Sequence, residues 1–509
     1  MSGTETEGPW TLPEGWRWAE ARSFADVVGG GTPKDAADPA NFEAGGVPWI
    51  TPADLSGHTG STIRAGARSL SQVGFRRTSA QLLPAGSVLI SSRAPVGYCA
   101  VAEVPICTNQ GFKSLRLKAP IDPFFLRYFV LFARRRLYDA ASGTTFKELS
   151  GRAMEQIVFP LAPLPEQRRI AARIDALFAE VAEGEAALAA ARKGLETFRR
   201  ALLKAAVSGE LTKDWREANP TSETGAGIFA RVAKARAKMG NNRRSGETNQ
   251  LHVDALPALP HSWAWATLGQ VGEIVGGVTV DNKRKPDDPI RVPYLRVANV
   301  QRGHIDLSEV KSIVVEKSAA ERLRLAAGDL LLNEGGDRDK IGRGWVWAGE
   351  IDDMIHQNHV FRVRVVQGLV NPHLVSHYAN EMGRRFFIDE GKQTTNLASI
   401  SLSKISTLPV PIPPPSEAAE IVRRVADALA AVADAQSLLD AEAADAARLR
   451  QSILKAAFAG RLSVQDPADE PARAMLARLR ERGGLAPRRR GGSAPRAGRS
   501  KARQTEATA

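Results

Sequence analysis

The sequence predicts an α+β protein of two tandem β-rich domains, each followed by a long helix. The two helices are expected to pair as an antiparallel coiled coil with pseudo-two-fold symmetry. Three observations carry this: the chain repeats itself, each repeat changes texture partway, and the second texture has a seven-residue apolar period.

The repeat has a period near 250 residues. Leu12-Pro13-Glu14-Gly15-Trp16 returns as Leu259-Pro260-His261-Ser262-Trp263, 247 positions on, and Val27-Val28-Gly29-Gly30 returns as Ile274-Val275-Gly276-Gly277 at the same offset. Ala85-Gly86-Ser87-Val88-Leu89 matches Ala327-Gly328-Asp329-Leu330-Leu331, and Thr144-Thr145 matches Thr394-Thr395. Leu203-Lys204-Ala205-Ala206 with Gly209 matches Leu454-Lys455-Ala456-Ala457 with Gly460, 251 positions on. Ordered matches with a slowly drifting offset mean two copies of one unit.

The first ~150 residues of each copy hold short apolar runs broken by Gly and Pro, a β-rich texture. Pro160, Pro163 and Pro165 end that part, as do Pro409, Pro411 and Pro413 to Pro415 in the second copy. Stretches without Pro or turn clusters follow, Glu166–Ser208 and Glu417–Ala459, closed by Gly209 and Gly460. Pro before and Gly after is helix punctuation, and such helices would each be about 64 Å long.

Ile174, Val181, Leu188, Leu195 and Leu202 lie seven apart, as do Val425, Val432, Leu439, Ala446 and Ile453. An interleaved seam reads Ile170, Leu177, Gly184, Ala191, Phe198 and Ala205, with Ile421, Ala428, Ala435, Glu442, Leu449 and Ala456 in the other helix. These are coiled-coil heptads, interrupted at Glu442. A lone helix of this kind would leave its stripe in water, so the two are expected to pack on each other.

Composition bounds the function. The chain has 509 residues, 43% apolar and 25% charged, which suits several packed cores. No run of about 18 apolar residues occurs, so no membrane span or membrane partner is expected. The N-terminus lacks a signal-peptide core and Cys99 and Cys107 cannot form a disulfide framework, so a reducing cytoplasm is expected. Both thiols are expected to act as small buried hydrophobes. Net charge is +13, but ten Lys and Arg after Leu476 face only Glu481 and Glu506, so residues 477–509 carry +8 of it. Residues 463–509 read as a disordered basic tail.

No phosphate-binding Gly-x-x-x-x-Gly-Lys-[Ser/Thr] loop and no adenine-methyltransferase [Asp/Asn/Ser]-Pro-Pro-aromatic motif is present. His373 and His377 share a helix face but lack a third ligand, so they read as a structural pair. No catalytic residue and no metal site is expected.

Two β-rich domains with proline boundaries and long helices in tandem resemble the specificity subunit of type I restriction–modification systems. The resemblance covers residues 10–465. It rests on Leu12-Pro13-x-x-Trp16, Leu164-Pro165-Glu166-Gln167-x-x-Ile170, Leu202-Leu203-Lys204-Ala205-Ala206-x-x-Gly209-x-Leu211 and their second-copy versions. At Pro415-Ser416-Glu417-Ala418 the usual Glu-Gln pair is incomplete. The resemblance implies a first target-recognition domain at 1–160, a conserved helix at 161–212, a linker at 213–258, a second target-recognition domain at 259–412, a second helix at 413–462, and the tail.

It further implies double-stranded DNA as partner, read as a bipartite target, with two methyltransferase subunits on the helices and motor-nuclease restriction subunits joining them. No cofactor is expected on this chain; S-adenosylmethionine, ATP and Mg belong to the partner subunits. Two other readings stay open: a coiled-coil protein scaffold without DNA readout, and a nuclease or methyltransferase of unrecognised type.

Base choice must lie where the copies differ. After the shared Gly86/Gly328 strand one copy carries Ser92 and Arg93, and the other Arg338, Lys340 and Arg343. Arg suits guanine and Lys suits phosphate, although Asp337 and Asp339 would also neutralise Arg338 and Lys340 in a solvated turn. Asn109, Gln110 and Lys113, with Gln357 and Asn358, suit adenine or strand-end hydrogen bonds equally. Thr144 and Thr145, with Lys392, Thr394 and Thr395, suit a phosphate contact or a shared turn.

Overall fold

A computed structural model describes residues 7–93, 95–143, 147–238, 256–280, 286–336, 340–390, 392–393 and 398–484. The chain divides into two compact units, one of residues 1–187 and 443–509, the other of residues 188–442. Each unit therefore holds half of each long helix.

The units share one plan. In the first, a five-stranded sheet runs in the order Ala25–Gly29, Lys113–Leu117, Val88–Ile90, Cys99–Ala102, Thr62–Ile63. In the second, a four-stranded sheet runs Gly272–Gly276, Val360–Val365, Leu330–Asn333, Gly344–Val346. A three-stranded sheet accompanies each, built on Phe42–Ile50 and on Pro289–Leu295.

A two-stranded antiparallel ladder then leads into each helix, Arg17–Glu20 with Val158–Leu161 and Ala264–Thr267 with Pro409–Ile412. Pro160 and Pro411 thus sit inside strands rather than ending the β-rich part, a correction to the sequence reading. An edge position tolerates them because proline has no N–H to give the ladder.

The long helices span Leu164–Ser208 and Pro415–Phe458. Both end at a left-handed glycine, Gly209 at φ 83° and Gly460 at φ 67°. Each glycine also allows a close approach: a Cβ on Gly209 would collide with Pro260, and one on Gly460 with Pro13.

The helices run antiparallel within each unit. In the first, Ile170 and Ile174 share a core with Leu454 and Phe458, while farther along Glu185 accepts from Arg450 at 2.8 Å. In the second, Arg192 donates to Asp440 at 2.6 Å and Asp214 accepts from Arg424 at 2.7 Å. Residue numbers rise on one helix as they fall on the other.

The seam Ile174, Val181, Leu188, Leu195 and Leu202 is buried or half-buried along its length, as is Val425, Val432, Leu439 and Ile453. The interleaved seam is not continuous. Gly184, Ala191 and Glu442 are exposed, Phe198 is 51% exposed and Leu449 50%. Glu442 is exposed and so disturbs no buried contact.

Two boundaries differ from expectation. Part of the 213–258 linker is ordered: helices Lys213–Ala218 and Gly225–Lys238 follow the first long helix, and Ile228 and Val232 enter the second unit's core. Part of the 463–509 tail is also ordered, since Ala472–Gly484 is a helix whose Ala472 and Met475 join the first unit's core. Both stretches are rich in charge, but three or four apolar residues at helical spacing are enough to dock them. Residues 485–509 lie outside the described set.

Candidate nucleic-acid interface

The strand Val88–Ile90 runs into a turn organised by Ser91. Its hydroxyl donates to the Pro95 carbonyl at 2.6 Å and accepts from the Tyr98 N–H at 2.8 Å, with Gly97 at φ 90°. Ser92 then stitches three segments together: its N–H donates to the Gly111 carbonyl at 2.7 Å, and its carbonyl accepts from the Leu149 N–H at 2.9 Å. Ser142 and Glu148 form an antiparallel bridge. Of the segments singled out in the first copy, 91–97 and 109–113 meet at Ser92, and Leu149, four residues past the segment 142–145, joins them there.

The second copy does the same. Asn333 closes its loop by donating N–H to the Arg343 carbonyl at 3.0 Å and accepting from the Gly342 N–H at 2.9 Å. Glu334 links the other two segments, its N–H donating to the His359 carbonyl at 2.9 Å and its carbonyl accepting from Ile400 at 2.8 Å. A three-stranded sheet of Gly335–Gly336, Ala398–Ser399 and Lys392–Gln393 completes the junction.

The side chains vary in availability. Ser92 is fully buried and its hydroxyl has no hydrogen-bond partner among the described residues, so it is no surface group, a correction to its place among the candidate DNA contacts. Arg93 lies 3.8 Å from the Glu148 carboxylate and Lys113 lies 3.7 Å from it, both at longer than hydrogen-bond range. Asn109 accepts from the Gly111 N–H at 2.9 Å, turning its side chain to local use. Exposed Gln110 accepts from the Thr32 hydroxyl.

Arg343 donates to the Val297 carbonyl at 3.2 Å and so points partly inward. Asn358 lies within 3.4 Å of the His359 ring, which meets Glu334 at 2.7 Å. Gln357 and Lys340 are half-buried, and Lys392 lies in its strand. Thr144, Thr145, Arg338, Thr394 and Thr395 lie outside the described residues.

Glu148, which stands near Arg93 and Lys113, was not among the candidates; Glu334 and His359 lie in segments singled out in the sequence, but their pairing with each other does not show in residue type. Gly30 and Gly277 were seen only as part of the repeat. A Cβ on Gly30 would collide with the Thr108 and Asn109 carbonyls, and one on Gly277 with those of His356 and Gln357. These glycines let the strand before each 109 or 357 turn press against it.

The remaining chemistry is quiet. Burial pushes the Cys99 thiol up to about 12 and Cys107 up to about 11, so neither is a nucleophile. Burial pushes His356 down to about 4, and its Nδ1 donates to the Val360 carbonyl at 2.6 Å. His373 and His377 both meet the Trp345 ring edge-on, at 5.4 and 5.3 Å. Among the described residues no group of three or more His, Cys, Asp or Glu could hold a metal, and no helix is long and apolar enough to cross a membrane.

Residues 13–188 match the family model described as the type I restriction modification DNA specificity domain. The chain is 26% identical over 296 residues to the type I restriction enzyme MjaIX specificity subunit of Methanocaldococcus jannaschii, covering 57% of this chain and 60% of that one. It is 25% identical over 391 residues to the type I restriction enzyme EcoKI specificity subunit of Escherichia coli K12, covering 75% of each. A solved structure described by its role in complex assembly and conformational transition of the type I R-M system shares the fold. Its TM-score is 0.61 at 17% identity, covering 89% of this chain and 100% of that chain.

Proposed function

We propose, from the premise that this chain belongs to the family of type I restriction–modification specificity subunits, that it recognises a bipartite sequence in double-stranded DNA. One half is read by each unit, and the chain contributes no catalysis of its own. The observation that carries this reading is the duplicated junction, where three separate segments of each copy converge on a shared scaffold yet present different side chains. A shared frame with divergent tips is what reading two different half-sites needs, since scaffold residues position and loop residues specify.

The helices supply the second role. Phe198 and Leu449, 251 positions apart, are the same residue of the repeat, and each leaves half its surface in water. Two equivalent apolar patches suit two copies of one partner, the methyltransferase subunit, with motor-nuclease restriction subunits joining that complex. S-adenosylmethionine, ATP and Mg would then reside in those partners.

Replacing residues 1–160 with the corresponding domain of another family member should change one half of the methylated sequence and leave the other intact. Genome-wide methylation mapping reads this directly. A change in both halves would overturn the modular reading.

A further inference from the structure

The two junctions are built on one backbone frame. In the first copy the Ser92 N–H donates to the Gly111 carbonyl, the Ser92 carbonyl accepts from Leu149, and the Asn109 N–H donates to the Ile50 carbonyl at 2.9 Å. In the second, Glu334 makes the same two bonds with His359 and Ile400, and the Gln357 N–H donates to the Leu295 carbonyl at 2.9 Å. The bridge between Ser91 and Phe112 recurs as the pairing of Asn333 with Val360. Glu334 therefore stands where Ser92 stands, Asn358 where Gln110 stands, and His359 where Gly111 stands.

The side chains on that frame differ in kind. The first copy has a buried hydroxyl at Ser92 and no side chain at Gly111. The second has a carboxylate and an imidazole, and they pair: His359 Nδ1 meets Glu334 at 2.7 Å, with the ring 56% exposed and the carboxylate 27%. An ionised carboxylate only accepts, so Nδ1 carries the proton and, in the neutral ring, Nε2 is an acceptor. The half-buried Asn358 amide lies 3.4 Å from Nε2 and must turn its nitrogen toward that lone pair, because its oxygen would be repelled there. One N–H is thereby engaged. The other N–H remains beside the carbonyl Oδ1, a donor next to an acceptor. In the first copy the amide at this place is held from its other end, since Gln110 accepts the Thr32 hydroxyl at its oxygen.

We infer, resting on the reading that each unit reads one half-site, that Asn358 is the specificity-determining residue for an adenine in the second unit's half-site. Glu334 and His359 are positioning residues that fix its amide. Adenine presents the N7 acceptor and the N6 amino donor side by side in the major groove, the complement of this edge. Guanine presents two acceptors there, cytosine a donor alone, and thymine an acceptor and a methyl group, so none of them satisfies both atoms of the amide. Glu334 and His359 enter the shared frame through backbone N–H and carbonyl groups, and Asn358 through its N–H to the Val278 carbonyl at 2.8 Å. Truncating any of the three side chains leaves those bonds in place.

Genome-wide methylation mapping with the full chain and its methyltransferase subunits gives the target, and exchanging residues 259–412 for another family member's domain identifies the half that the second unit reads. Competition binding of the same complex to duplexes replaced one position at a time then tests the inference. One adenine of that half should carry a penalty of about tenfold or more when replaced. Asn358→Ala should cut that penalty to about twofold or less, while every penalty in the other half persists and shows the variant to be folded. Glu334→Ala and His359→Ala should each cut the same penalty about threefold, and Glu334→Gln, whose amide oxygen still accepts from Nδ1, should keep it. Penalties untouched by Asn358→Ala, equal weakening at all positions, relaxation at a base other than adenine, or equal loss from Glu334→Ala and Glu334→Gln would each overturn the inference. A mapped target that does not respond to the domain exchange would overturn the half-site reading itself, and this inference with it.

Discussion

Glu166 and Glu417 stand at the same place in the two units, in the first turn of each long helix, and both are buried. Each accepts the indole N–H of the repeat's tryptophan, Trp16 or Trp263, at 2.9 Å. Their other partners differ. Glu166 accepts from the Ser463 hydroxyl at 3.3 Å, whereas Glu417 accepts from the Thr212 hydroxyl at 2.8 Å and from the Arg216 guanidinium. Burial without a directly bonded cation holds the Glu166 carboxyl above the usual carboxylate range, against the pull of its hydrogen bonds and of Arg169. The same fold thus accommodates a carboxylate locked by an ion pair and one locked by neutral donors. In both cases the lock is completed by the segment that follows a long helix, 461–484 for the first unit and 209–238 for the second.

The largest effect that separates the two locks comes from removing one of the segments. Truncation after Gly460 takes away Met475, Ala472, the Ser463 hydroxyl and the 2.6 Å pair between Arg169 and Asp469. A loss of roughly 4 kcal/mol is expected, seen as an early-unfolding phase of the first unit in calorimetry, while the second unit's transition stays in place. Coincident loss of both transitions would show that the units do not unfold separately.

Glu417→Gln comes next. It leaves the half-buried Arg216 without its anion and should destabilise the second unit by about 3 kcal/mol. Glu166→Gln keeps an acceptor for Trp16 and relieves the burial of a charge, so a change within about 1 kcal/mol is expected. Equal losses from the two substitutions in urea denaturation would erase the distinction between the locks.

The pH dependence sharpens it further. Because the folded pKa of Glu166 is raised from 4.5, its contribution is fully present below 4.5 and is lost as pH rises through the folded value. Glu420, in the second unit, runs the other way. Hydrogen bonds from Arg423 and Arg424 lower it to about 2, so what it contributes is present above 4.5 and fades as pH falls toward 2. Thermal scans from acid to neutral pH should show the first unit losing relative stability on the way up, and Glu166→Gln should flatten that slope.

The smallest effect concerns the junctions. Arg93→Ala should cost ~1 kcal/mol in DNA affinity and act on one half-site alone, because Glu148 already draws on the guanidinium. Glu148→Ala should instead tighten DNA binding through Arg93 and Lys113, with a steeper salt dependence. Binding assays across a salt series distinguish base contact from phosphate contact.

Much of this was legible in the chain. The seven-residue spacing of Ile174 through Leu202, and Gly209 and Gly460 beyond the helix ends, mark both long helices within two residues of their observed limits. The loops after Gly86 and Gly328 stand out as a place where two copies of one scaffold diverge, and Thr144-Thr145 with Thr394-Thr395 as a place where they agree. The roles of their side chains were not legible. Ser92 sits inside, Asn109 caps its own turn, and Arg93 faces Glu148 from 55 positions away, none of which shows in residue type or period. The interleaved seam misled for the opposite reason: a heptad records apolar spacing but not which of two seams ends buried, and Phe198 and Leu449 stay half exposed.

Duplication, the alternation of β-rich and helical stretches, and the ends of the helices follow from local sequence, because a repeat, a period and a Pro or Gly act through neighbours a few positions apart. Which segment closes which unit does not. Ser463 reaches Glu166 across 297 positions and Asp469 reaches Arg169 across 300, while Thr212 meets Glu417 across 205. Helices that look like linker and tail become core because a hydrophobic groove elsewhere in the chain is the right shape to bury Ile228, Val232 or Met475. That complementarity exists only once the β-rich domains and the antiparallel helices are folded, since burial is a property of two surfaces and a sequence displays only one of them at a time.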